Sequence, residues 1–155
     1  MSPIALLFLI TILYAGYNLL VKVSSNYVPL ESTSTILATI CLQVAALAAS
    51  TSFAVVLLLR GGHVLQLSTP TYTWAIAAGL CIGAAEIGYF YLFSGVMWPR
   101  EAMSANVAIP TIVSGTIVIT VIVSFIVFRE SLSWIQFLGS LFVVGGIVML
   151  FIGKS

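Results

Sequence analysis

Residues 72–98 read YTWAIAAGLCIGAAEIGYFYLFSGVMW, an apolar run in which Glu86 is the only charged side chain. A helix needs about 20 mostly apolar residues to cross a bilayer, so this run is long enough to do so. A carboxylate at the centre of such a helix costs about 2.5–3.5 kcal/mol on insertion scales, and it usually faces a cavity, a partner or a substrate path. The run therefore predicts a membrane helix, with Glu86 as the first candidate for function.

The composition of the whole chain agrees with that prediction. The chain has 155 residues, of which 61% are hydrophobic and 6% are charged, whereas soluble domains carry about 25% charged residues. A soluble domain of this size leaves much of its surface exposed and could not hide so many apolar side chains. We therefore expect an all-α integral membrane protein with the lipid bilayer as its solvent. The net charge of +1 argues against a nucleic-acid partner.

Apolar runs and turn residues divide the chain into five predicted membrane helices within a single domain. Ser131 is the expected N-cap of the fifth helix, and Ser68 or Thr71 that of the third. The absence of period-2 alternation excludes strands of a membrane barrel. The short loops predict antiparallel neighbours and leave no room for a soluble domain. The predicted helices cover residues 3–21, 35–59, 72–98, 102–128 and 134–153.

Positively charged residues are nearly balanced between the two sides of the membrane. Five spans would place Lys22, Arg100 and Lys154 on one side, and Arg60, Arg129 and the N-terminal amine on the other. By the positive-inside rule, an excess of Lys and Arg on one side sets the orientation, so a weak excess permits insertion in both orientations. The alternative is one fixed orientation with the Lys22 side in the cytoplasm. We expect a multi-pass protein of the cell's inner (plasma) membrane with an uncleaved first helix, because no basic n-region or A-x-A-like site is present.

Glu86 has two interpretations. As a functional group it would bind a proton or a cation, and the two would compete for one carboxylate. As a structural group it would form an ion pair, and Lys22 is the candidate partner. At about 1.5 Å per helical residue, however, the heights of Lys22 and Glu86 should differ by more than 10 Å.

Aromatic residues accompany Glu86. Tyr89 and Phe90 follow it by three and four residues, which places them on the same helix face. Tyr14 and Tyr17 of the first helix could face the same space. Aromatic rings beside a carboxylate suit an organic cation or an amphiphile. Ordinary packing is the alternative.

Further polar residues are candidates for the lining of a cavity. Asn18 lies one turn before Lys22, which could contact a substrate or act as a snorkelling anchor. Pro110 interrupts the backbone bonds of the fourth helix and predicts a kink. Asn106 and Ser114 near it could line a cavity or repair the kink.

Small residues predict close helix packing. Gly79 and Gly83 form a small-xxx-small pair on the third helix. Gly139, Gly145 and Gly146 give the fifth helix a similar face. The sequence does not distinguish packing within one subunit from packing between subunits.

The sequence does not predict an enzyme, a metal site or a cofactor. It contains no aspartate, and His63, its single histidine, has no catalytic partner nearby. Cys41 and Cys81 lie in apolar runs without other ligands at metal-binding spacing, so we expect two free thiols.

Residues 104–153, SANVAIPTIVSGTIVITVIVSFIVFRESLSWIQFLGSLFVVGGIVMLFIG, resemble the end of an EamA-type half of the drug/metabolite transporter superfamily. The segment YNLLVK, residues 17–22, also fits that family. The resemblance covers nearly the whole chain. The matching features of the longer segment are Pro110, Glu130 followed by Leu132, Gln136, Gly139 and the pair Gly145-Gly146.

This resemblance implies one five-helix half of an inverted-repeat transporter. Most members carry two such halves, inverted relative to each other, with the substrate cavity between them. A single half would need a second copy, and dual insertion would supply it upside down, as in the related small multidrug resistance proteins. Those proteins use a glutamate of the first helix, which is absent here, so their mechanism does not transfer to Glu86 residue by residue.

The leading hypothesis is therefore a transporter of small organic solutes that works by alternating access. It would act as a dimer, antiparallel if the chain inserts in both orientations, with proton coupling through Glu86. One alternative is a non-transporting membrane subunit that pairs with a paralogous half-transporter or joins a larger complex. Another is a lipid-linked sugar flippase or a channel.

Overall fold

A computed structural model of the protein describes residues 2–62, 66–97 and 102–153. These residues form five α-helices and, within the described ranges, no strand. The sequence predictions for His63, Trp98, Arg100 and Lys154 lie outside the described residues. The helices are α1 (Pro3–Ser25), α2 (Ser32–Arg60), α3 (Thr69–Ser94), α4 (Ala105–Ile126) and α5 (Trp134–Ile152).

The helices confirm an all-helical chain suited to a membrane. Four of them, α1 to α4, are long and apolar enough to span a bilayer. The fifth is also apolar, but its qualifying stretch, Trp134–Leu150, is shorter than the other four. The predicted helix order is thus observed, and the sequence prediction of five spans is supported for four helices.

Helix ends differ from the predicted ones where local capping decides them. Helix α1 begins at Pro3, where a missing N–H costs nothing, and the Ser2 hydroxyl accepts a bond from the Ala5 amide. Helix α3 ends at Ser94 rather than at 98, because Gly95 adopts a left-handed conformation with φ of 72°. Ser68 is the N-cap of α3, as one of the two sequence alternatives proposed.

The N-cap of α5 is Ser133, so the prediction of Ser131 is wrong. The backbone N–H of Gln136 donates to Ser133 Oγ at 3.2 Å, and the backbone N–H of Ser133 donates to Gln136 Oε1 at 2.8 Å. This reciprocal pair is a capping box, which satisfies two amides that the helix itself leaves unpaired. The glutamine three residues after Ser133 is the sequence signal for this start.

The chain forms two compact units, Met1–Ala102 and Met103–Ser155. In the first unit, α3 packs against both α1 and α2, which approach each other closely at few positions. In the second unit, α4 packs against α5. Glu86 therefore belongs to a three-helix unit in which its own helix is central.

Contacts between the helices of the first unit align their ends. The Lys22 ammonium of α1 donates to the Phe93 carbonyl of α3 at 3.5 Å. The Tyr91 hydroxyl of α3 donates to the Ser32 carbonyl of α2 at 3.5 Å. The C-terminal ends of α1 and α3 therefore lie beside the N-terminal end of α2, which confirms that consecutive helices of this unit are antiparallel.

Candidate functional site

Glu86 is buried in the three-helix unit. Only 6% of its surface is exposed, and its Oε2 atom has no hydrogen-bond partner among the described residues. A buried acceptor without a partner costs about 1–3 kcal/mol, and more when it is charged. The position is therefore held by the fold at a cost, which is the usual property of a functional group and not of a packing residue.

Glu86 opens into a cavity of about 540 Å³ between all three helices. On α3, Gly79, Ile82 and Glu86 share one face because they are three and four residues apart. Helix α1 contributes aromatic rings and α2 contributes a mainly apolar wall. The lining consists of Tyr14, Tyr17, Leu42, Gln43, Ala46, Gly79, Ile82 and Glu86.

The polar groups of this cavity lie at similar depths below the aligned helix ends. Glu86 precedes Ser94 by eight residues and Tyr17 precedes Ser25 by eight, which is about 12 Å at 1.5 Å per residue. Gln43 follows Ser32 by eleven residues, or about 16 Å. Since the hydrocarbon core of a bilayer is about 30 Å thick, the cavity would lie near its middle.

Tyr17 is the second unpartnered polar group of the cavity. Its hydroxyl is buried and lies within interaction range of the Glu86 carboxylate, although neither this hydroxyl nor Glu86 Oε2 completes a hydrogen bond within the described part of the chain. Its ring meets the Tyr14 ring edge-on, with 6.4 Å between centroids. The cavity therefore offers one acceptor and one hydroxyl to a ligand, beside two aromatic rings.

Gln43 also lines the cavity, although it is not among the predicted site residues. Its Nε2 atom lies 3.2 Å from the point where a Cβ on Gly83 would be, so the missing side chain of Gly83 leaves room for the amide. An amide in an apolar helix interrupts the hydropathy pattern only weakly, and its proximity to Glu86 depends on the packing of α2 against α3. Its polarity deep in α2 was the one signal available.

Lys22 does not pair with Glu86. Its ammonium contacts the Phe93 carbonyl and lies 5.3 Å from the centroid of the Phe93 ring. Phe93 is seven residues beyond Glu86, or about 10 Å along the helix. The expected difference in height is thus observed, and the structural interpretation of Glu86 as the partner of Lys22 has no support in this arrangement.

The remaining aromatic candidates of α3 lie elsewhere. Tyr89 packs edge-on against Phe93, with 5.3 Å between centroids. It does not line the Glu86 cavity, although it lies close enough to the Glu86 carboxylate to interact with it electrostatically. Phe90 is 1% exposed and borders a second cavity between α1 and α2. Asn18 is buried, at 7% exposed, and lines neither cavity.

The predicted polar residues of α4 belong to the second unit. Pro110 lies inside α4, and the helix continues to Ile126. The Thr111 hydroxyl donates to the Val107 carbonyl at 2.7 Å, so one side chain beside the proline bonds its own helix. Asn106 is exposed and Ser114 is half-buried.

The predicted glycine faces differ in what covers them. Gly83 is approached by Gln43, whereas a Cβ on Gly79 would meet no atom within 4 Å. The same open space surrounds Gly139, Gly145 and Gly146 of α5. Close packing through glycine is therefore observed at Gly83, and for α5 it stays a prediction.

Metal-binding clusters of three or more His, Cys, Asp or Glu side chains do not occur among the described residues. Comparison of the chain with protein-family models, with curated proteins and with solved structures gives no match. The function is therefore inferred from the geometry of this chain.

Proposed function

We propose that the chain is a membrane transporter of small organic cations, which works by alternating access as a dimer. The observation that carries this proposal is the buried Glu86 carboxylate, whose Oε2 atom has no partner and which opens into a cavity. In this proposal α5 is the fifth span, since its 19 residues reach about 28 Å, close to the thickness of the hydrocarbon core.

The chemistry of the cavity favours a cation. An ionised carboxylate in an apolar surrounding is stabilised when a proton or an ammonium ion neutralises it, because an uncompensated charge is costly there. The two cannot occupy the same oxygen together. Binding of one therefore releases the other, and this competition couples proton movement to substrate movement.

A second, inverted copy would complete the transporter. The nearly balanced basic residues favour insertion in both orientations, and the resemblance to a single EamA-type half favours the same assembly. Two inverted copies that exchange conformations have equal energy in the two states, which is what alternating access requires.

The test measures proton-driven uptake of a primary ammonium ion into vesicles that contain the Glu86→Gln variant. Glutamine keeps the shape of the side chain but can neither ionise nor take up a proton, so we expect loss of uptake without a lower unfolding temperature. Glu130→Gln is the matched control, because Glu130 is an exposed loop residue, and it should transport normally. Full transport by Glu86→Gln would refute the coupling role.

A second candidate is a non-transporting subunit that pairs with a paralogue or a larger complex. A Cβ added at Gly139, Gly145 or Gly146 of α5 would meet no atom of another described element within 4 Å, which favours a further helix as neighbour. Co-purification of one different chain in stoichiometric amount, together with absence of uptake by the chain alone, would support this candidate.

A further inference from the structure

An apolar groove adjoins the Glu86 cavity. It has a volume of about 630 Å³ and runs between α1 and α2. Helix α3 packs against both of these helices, and its Phe90 forms part of the lining. Its lining consists of Leu13, Tyr17, Leu20, Val21, Ser24, Ala38, Cys41, Leu42 and Phe90.

The groove and the Glu86 cavity meet at Tyr17 and Leu42, which line both. At this point neighbouring residues of α2 line different spaces. Cys41 lines only the groove, and Gln43 lines only the Glu86 cavity. The two spaces are therefore neighbours, and an elongated molecule that reached past Tyr17 would occupy both.

The two spaces differ in polarity. Glu86 Oε2, which lacks a partner, lies on the cavity side, and Gln43 adds an amide there. Apart from the shared Tyr17, the groove is bounded by apolar side chains, the Ser24 hydroxyl and the Cys41 thiol. A charged head thus has partners on one side of Tyr17, whereas an apolar tail fits the other.

We propose that the cavity and the groove form one bipartite site for an amphiphilic ammonium ion, with the ammonium at Glu86 and Tyr17 and the apolar tail between α1 and α2. This proposal rests on the proposed function and names its substrate class. A wholly polar metabolite would use the cavity and make no contact with the groove, and a neutral lipid would leave the carboxylate unpaired. Only a molecule with both parts satisfies both spaces.

Cys41 provides a direct reporter of the tail. It lines the groove and is exposed, so an occupied groove should shield its thiol from N-ethylmaleimide. Cys81 is also exposed but lines neither space, which makes it the matched control. The experiment uses the solubilised protein with Cys81→Ala to follow Cys41, and with Cys41→Ala to follow Cys81.

Decylammonium should slow the labelling of Cys41 by roughly tenfold at about ten times its Kd, since labelling follows the unoccupied fraction. The labelling rate of Cys81 should not change. Ethylammonium, which has the head without the tail, should bind without shielding Cys41. Excess ethylammonium should restore Cys41 labelling in the presence of decylammonium, because both heads compete for Glu86.

Two results would overturn the bipartite site. Equal shielding of Cys41 and Cys81 by decylammonium would show unspecific partitioning. Binding of ethylammonium that is lost in Glu86→Gln, without shielding of Cys41 by decylammonium, would refute the tail site and leave the proposed cation binding intact. Absence of ammonium binding of either length would refute the proposed function and this proposal together.

Discussion

Tyr17 shows how a single hydroxyl can serve binding at the expense of stability. Its oxygen is buried and unpartnered beside an equally unpartnered carboxylate oxygen. The hydroxyl lies within interaction range of the carboxylate, but neither atom completes a hydrogen bond, so both keep a desolvation penalty. A ligand that donates N–H bonds would remove the penalty for both, so the cavity is expected to prefer ammonium ions with N–H groups over quaternary ones.

Tyr17→Phe should therefore stabilise the protein and weaken ligand binding at the same time. Removal of a buried, unpartnered hydroxyl should raise the free energy of unfolding by about 1 kcal/mol, while the affinity for a primary ammonium falls. Denaturant unfolding and ligand titration in the same detergent measure the two effects. Tyr14→Phe is the control, because Tyr14 is 62% exposed and its hydroxyl should matter little. A less stable Tyr17→Phe protein would show that the hydroxyl has a partner in solution.

Some residues of the Glu86 site could be predicted from the sequence, and others could not. Glu86 was recognisable because one charge in a long apolar run is visible without any structure. Its neighbours in the cavity were not, because spacing along α3 favours Tyr89 and carries no information on Tyr17, which lies on another helix. Tyr89 is turned toward Phe93 instead, and Gln43 joins the cavity only through the packing of α2 against α3.

Among the elements, α5 depends most on its cap. It is the shortest of the five helices, with 19 residues, and its first turn is held by the reciprocal bonds of Ser133 and Gln136. Hydropathy located this helix correctly but not its cap, because Ser131 and Ser133 are both serines ahead of the same apolar run. The glutamine at the third helical position distinguishes them.

Ser133→Ala should lower the free energy of unfolding by about 1 kcal/mol, the usual effect of losing an N-cap side chain. Thermal unfolding in detergent, followed by circular dichroism, measures it. Ser131→Ala serves as the control, since Ser131 is exposed and precedes the cap. Equal losses for the two variants would show that Ser133 is not the operative cap.

For the whole molecule, the decisive property is orientation in the membrane. The basic residues are so nearly balanced between the two predicted sides that small changes should decide the topology. The helix order could be derived from hydropathy, because each run is long and ends at polar or turn residues. Assembly could not, because contacts between copies leave no periodic signal in one chain.

Ser155→Cys in a Cys41→Ala/Cys81→Ala background should be labelled from both sides of the membrane by an impermeant thiol reagent. Asn26→Lys adds a positive charge to the Lys22 side and should confine the label to one side. Labelling of the parent variant from one side only would exclude an antiparallel homodimer. It would leave a parallel dimer, or a partner chain of opposite orientation.

The distribution of buried residues along the three-helix unit has a mechanical consequence. The described buried residues of α1, α2 and α3 lie toward the ends that Lys22 and Tyr91 tie together, and they include Asn18, Val21, Thr35, Thr39, Glu86, Phe90 and Phe93. At the opposite ends, Ile4, Leu59 and Trp74 are 67%, 82% and 75% exposed. Lipid chains, and not protein contacts, would set the spacing there. The lateral pressure of the bilayer would then act on the width of the cavity, so acyl-chain composition becomes a variable that regulates access to Glu86.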